Sequence, residues 1–93
     1  MRVILRSDIA GVFYAKLLKS KDPSVYLLAE ARKVWTFEGA QHCEGLALIG
    51  PDSRSSQISG PVKCAVRRAD GDQIIYGVTE VARRRFDACE PWN

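Results

Sequence analysis

Apolar and polar residues alternate along most of the chain with the period of two that half-buried strands require. Residues 3–7 read as a short strand interrupted at Asp8. Residues 11–18 place Phe13, Ala15 and Leu17 on one face and Val12, Tyr14 and Lys16 on the other. The polar run Lys19-Ser20-Lys21-Asp22-Pro23-Ser24 supplies a hairpin turn. The return strand, 25–37, is long, and no single alternation turns all its apolar residues inward, so a bulge is predicted within it. Gly39 breaks that strand. Residues 41–49 read as a short helix, weakened by Gly45 and closed by Gly50-Pro51. The segment 51–60 is rich in Ser, Gly and Pro and reads as a mobile surface loop.

A second hairpin is predicted from alternation over 62–68, a tight Asp70-Gly71 turn and a return over 73–78. That register sets Val66 opposite Ile75 and Cys64 opposite Gly77 on the core side. It sets Arg67 opposite Ile74 and Ala65 opposite Tyr76 on the other. A final helix over 79–88 carries Val78, Ala82, Phe86 and Cys89 on one stripe, with Arg83, Arg84 and Arg85 fanned around its outer side. The elements predict an α+β fold, a small antiparallel sheet of four to five strands with two short helices, and a single domain over 1–93.

Composition fits that reading. Hydrophobic content of 46% with 27% charged residues is ordinary globular usage, which argues against disorder. The first apolar run is only Val3-Ile4-Leu5, and no stretch approaches the roughly 20 apolar residues of a membrane span, so a soluble, cytoplasmic protein is expected. The net charge of +3 is mild, yet arginine outnumbers lysine, and guanidinium groups suit bidentate capture of phosphate or carboxylate.

Candidate chemistry is sparse. His42, Cys43, Cys64 and Cys89 are the only His and Cys residues, and no C-x-x-C pair occurs, so neither a metal nor another cofactor is expected. His42 is the one base of the usual type, and its neighbour Cys43 points away from it on either a strand or a helix. Neither G-x-x-x-x-G-K-[ST] nor G-x-G-x-x-G is present. These features point to a binding protein and not to an enzyme. Trp35 and Phe37 are expected to share a strand face, either in the core or as a stacking wall for a flat ring, with Arg32 and Val34 on the opposite face.

The order Arg6, Ala10-Gly11-Val12-Phe13 with Leu17, Ala31-Arg32-Lys33-x-Trp35-x-Phe37-x-Gly39-Ala40, Leu46-Ala47, Gly50, Ile74-Ile75 and Thr79-Glu80-x-Ala82 resembles a family of short phage-encoded domains without a settled function. Those domains in turn look similar to the phage sponge proteins that defeat Thoeris immunity. The sponges bind a cyclic ADP-ribose isomer made by a TIR-domain enzyme and do not cleave it. Four positions depart from the family pattern: Ala15 stands for a usual glycine, Phe37 for a second Trp, and His42 and Glu44 where serines are common.

The resemblance implies a counter-defence protein of the host cytoplasm that sequesters a cyclic nucleotide signal. Its matching positions are Phe13, Arg32 and Trp35, with His42 as a further ligand candidate. A homo-oligomer with a pocket between subunits is expected, since one small domain has little concave surface. Removing Arg32 is expected to abolish binding and leave the fold intact. The alternative is an anti-CRISPR-like inhibitor that blocks a host defence protein complex directly, through Lys63, Arg67, Tyr76, Arg83, Arg84 and Arg85.

Overall fold

In the computed structural model, which describes residues 2–37 and 42–92, the alternating segments become strands β1 (Arg2–Ser7), β2 (Gly11–Leu18), β3 (Val25–Thr36), β4 (Gln57–Ile58), β5 (Val62–Arg67) and β6 (Gln73–Ile75). The helices are α1 (Cys43–Ile49) and α2 (Glu80–Asp87). The fold is therefore α+β with a small antiparallel sheet, of six strands where four or five were expected. The expected strand break at Gly39 and the first residue of the predicted helix, Gln41, lie outside the described residues.

β3 is the hub of the sheet. It pairs with β2 along one edge, and along the other with β5 through its first half and with β4 through its second. The predicted bulge lies in the middle of β3. Tyr14 pairs with Arg32 and Lys16 with Ala29, so the single residue Ala15 faces both Glu30 and Ala31. Glu30 takes the extra position with φ of 49°, a left-handed conformation that costs a non-glycine residue energy. Its carboxylate is held by Lys16 at 2.9 Å and Arg2 at 3.4 Å.

The second hairpin is a correction. β5 and β6 do not pair as predicted: β5 joins β3, with Tyr26 opposite Val66 and Leu28 opposite Cys64, and β6 joins β1, with Ile4 opposite Ile75. The Asp70-Gly71 turn exists, since the Asp72 N–H donates to Ala69 O at 3.2 Å, but it connects opposite margins of a curled sheet. A local hairpin would have left the outer edges of β1 and of the first half of β3 without partners. Splitting β5 from β6 satisfies both.

Asp72 fastens the curl. One carboxylate oxygen accepts from Asp8 N at 2.8 Å and the other from Ala69 N at 2.8 Å. The Tyr26 hydroxyl donates to the same group. Gly71 lies so close that a Cβ there would come within 2.7 Å of the Asp8 carboxylate. Inside the curl, Leu5, Phe13, Ala15, Tyr26, Leu28, Ala31 and Val66 form one core cluster.

The opposite face of the sheet is covered by the helices, where Ile4, Tyr14, Val34, Leu46, Ala47, Ile58, Phe86 and Cys89 form a second cluster. The predicted stripe of the last helix is borne out at Ala82, Phe86 and Cys89, all buried. Phe86 stacks on Tyr14 with ring centroids 4.0 Å apart and planes 2° from parallel. Thr79 caps α2 by accepting from Ala82 N at 3.1 Å. Gly50 lets the end of α1 close against α2, because a Cβ there would meet the Ala82 backbone at 2.9 Å. The reading of 51–60 as a mobile surface loop is corrected toward its ends, where Pro51 and Ile58 are fully buried and β4 pairs with β3, whereas 53–55 form an exposed turn.

The hydrogen bonds donated to Asp72, first that from Asp8 N, hold its carboxyl below the ordinary value near 3.8. A depressed acid contributes stability that is complete above its unfolded value and is lost as pH falls through the folded one. Asp72→Ala is expected to cost about 1–2 kcal/mol at neutral pH. In urea titrations at several pH values, that difference should hold steady above about pH 5 and shrink toward zero below about pH 4.

Candidate functional site

Strand alternation splits the three residues that the resemblance grouped as ligand-binding. Phe13 and Lys33 are direct cross-strand partners, so they share a face, and Trp35 follows on that face two residues later. Arg32 points to the opposite, helix-covered side. Phe37 leaves the Trp35 face as well, because the register shifts between Val34 and Thr36 and turns Phe37 onto the helix-side core.

Arg32 is 8% exposed, and its guanidinium donates to three main-chain carbonyls: Nε to Ser59 at 2.8 Å, Nη1 to Phe86 at 2.5 Å and Nη2 to Cys89 at 2.7 Å. Phe86 and Cys89 lie at the C-terminal end of α2, where unpaired carbonyls and the helix dipole favour a cation. The group expected to meet an anionic guest instead joins sheet, loop and helix. The expectation that its removal spares the fold is corrected by these bonds. His42 is likewise engaged locally. Its Nδ1 accepts from Gly45 N at 3.0 Å and caps α1, with the Glu44 carboxylate 3.1 Å away.

The residues that remain open form a platform at the end of β3. The Trp35 indole is 54% exposed. The Lys33 ammonium lies over it, 4.3 Å from the ring centroid, and 6.0 Å from that of the nearly buried Phe13. Gly11, whose φ of 95° favours glycine, lies against the lysine stem, where a Cβ would make ordinary contact with Lys33 Cε at 3.4 Å. Trp92 meets Trp35 edge-on, with centroids 6.2 Å apart and planes inclined by 61°. Its backbone N–H donates to Ile58 O at 2.9 Å. No cavity forms among the described residues, and the platform is an open surface.

The cations expected to meet a protein partner are dispersed. Lys63, Arg67 and Tyr76 are exposed, but the pairing that was to align them does not exist. Arg83 and Arg84 both share Glu80, at 3.6 and 3.4 Å. Arg85 reaches Ile49 O at 3.4 Å. Burial pushes the thiols of Cys43, Cys64 and Cys89 up from the ordinary range, so they stay protonated near neutral pH and are poor nucleophiles.

Sequence reasoning passed over Lys33 and Trp92 as site residues. The signal for Lys33 was its i, i+2 spacing from Trp35, which places both on one strand face. Trp92 gave only the general cue that a Trp near a chain end docks against something.

A protein-family model described as "Domain of unknown function (DUF6948)" matches residues 1–84. No curated protein and no solved structure matches the chain.

Truncating Arg32 would remove three charge-assisted hydrogen bonds to main-chain carbonyls, of which Phe86 O keeps its bond from Cys89 N. Arg32→Ala should therefore cost at least about 3 kcal/mol in urea unfolding. Arg32→Lys should recover only part of that, because an ammonium cannot span the same fork.

Proposed function

Since the chain belongs to the DUF6948 family of domains of unknown function, we propose that it is a non-catalytic binding module that captures a nucleotide-type ligand on the Trp35–Lys33 platform. One observation carries this reading: a cation held 4.3 Å over an exposed indole, offering a ring face and a positive charge side by side. A base stacks on the indole and the ammonium swings from it to a phosphate. Lys33 thus takes the part first assigned to Arg32, and Phe13 supports the lysine stem from below.

Together with the resemblance drawn from the sequence, this favours a phage counter-defence protein. It would hold a cyclic nucleotide immune signal of the cyclic ADP-ribose type in the host cytoplasm without cleaving it. Stacking one base on one aromatic ring contributes about 1–3 kcal/mol, whereas nanomolar capture needs about 12. A second copy of the chain closing over the platform supplies the difference, so the working form is a homo-oligomer. The rival reading, an anti-CRISPR-like block of a host defence protein, draws on the exposed side chains of Lys63, Arg67 and Tyr76.

Calorimetric titration with cyclic ADP-ribose isomers, cyclic dinucleotides and ADP tests the reading. At least one should bind, be recovered unaltered after denaturation, and lose affinity by roughly 5-fold or more with Trp35→Ala. Heat from none of them, or a Trp35→Ala variant that binds like the parent, would overturn it. Specific capture of one host protein would favour the rival.

A further inference from the structure

We infer that Trp92 is the second jaw of an aromatic clamp that closes a planar purine ring against Trp35; the inference rests on the platform reading above and adds a residue to it. The C-terminal segment is anchored through its backbone. Pro91 forms a parallel bridge with Ile58, and the Trp92 N–H donates to Ile58 O at 2.9 Å. Since Ile58 itself pairs with Val34, the segment runs along the far edge of β4, which separates it from the exposed end of β3 that carries Trp35. The Trp92 ring, 44% exposed, leans across β4 to touch Trp35 and is held there by no side-chain hydrogen bond of its own ring among the described contacts.

The dimensions suit insertion of one flat ring. Two indoles sandwiching a heterocycle at ordinary carbon contact, about 3.5 Å on each side, stand about 7 Å apart. In the structure the centroids are 6.2 Å apart with the planes inclined by 61°. Rotation of the Trp92 side chain by that angle and an opening of less than about 1 Å brings the pair to the sandwich geometry. No backbone bond has to break, and rotamer changes of exposed side chains are fast. Edge-on contact between the rings is thus the resting form of the clamp, which shields part of the indole surface that the ligand later covers.

Lys33 fixes the ligand class. Its ammonium lies over the Trp35 ring, 4.3 Å from the centroid, so a planar ligand that takes that face displaces the ammonium toward its own anionic substituent. Charge beside a flat aromatic slot matches a nucleoside phosphate better than a neutral base or a bare phosphate. Trp92 lies beyond the residues 1–84 that match the family model, so the second jaw comes from a part of the chain outside that match.

The test is titration of ADP, and separately of inorganic pyrophosphate, into the parent chain and the Trp92→Ala, Trp92→Phe and Trp35→Ala variants, each first checked for an unchanged melting transition. Trp92→Ala should weaken ADP by roughly 5- to 150-fold, Trp92→Phe by much less, and neither should alter pyrophosphate binding. ADP should also protect the parent's tryptophan fluorescence from acrylamide more than it protects that of Trp92→Ala. Unchanged ADP affinity in Trp92→Ala, with loss in Trp35→Ala, would overturn the clamp and leave the platform standing. A parent chain that does not bind ADP but binds another member of the nucleotide panel would also overturn the clamp as a purine-nucleotide slot. Failure of the whole panel would remove the platform reading with it.

Discussion

A permanently charged guanidinium buried at the junction of sheet, loop and helix is the constraint on which the rest of this structure hangs. Taking Arg32 out of water carries a desolvation cost of several kcal/mol, and among the described residues no carboxylate bonds it to offset that cost. The compensation comes from main-chain carbonyls, two of them at the negative end of α2. They lie where a helix end is short of intrahelical donors, and the guanidinium adds to the bond that Phe86 O already accepts from Cys89 N at 3.0 Å. It also ties β3, the Ser59 turn and the end of α2 into one unit, with the Tyr14–Phe86 stack packing the same helix onto the sheet beside it.

β3 can serve as hub because it is long and bent. Its bulge at Glu30 lets the first half reach β5 and the second half reach β4, while β2 follows along the whole length. The curl then brings the far margins of the sheet close enough for a five-residue connection, 68–72, to join them, and Asp72 holds that connection to Asp8 and Tyr26. A short loop that looks like a hairpin turn therefore acts as a clasp.

The same strand has one buried face and one open face. Arg32 and Val34 face the helices and are buried, whereas Lys33 and Trp35 look outward past Phe13. The open face is thus mounted on the most heavily anchored strand among the described residues, which keeps the indole in place without enclosing it. Within the described residues, the platform draws on β3, on Gly11 at the start of β2 and on Trp92 beyond α2.

By itself the sequence determined what local periodicity can encode. The strands from 2 to 36, the need for a bulge in the third, both helices and the buried stripe Ala82, Phe86 and Cys89 all follow from spacing alone. Alternation also placed Arg32 and Trp35 on opposite faces, which already told against a shared site. The pairing of β5 and β6 was decided elsewhere, because an Asp-Gly turn reports only that the chain reverses and not which edges lie within reach of its arms. Burial of Arg32 was equally invisible: nothing near it in sequence resembles a partner, and its acceptors come from residues 59, 86 and 89. Backbone carbonyls carry no residue identity, so only the tertiary arrangement could show that this arginine was already engaged and that Lys33 and Trp92 stand at the open surface instead.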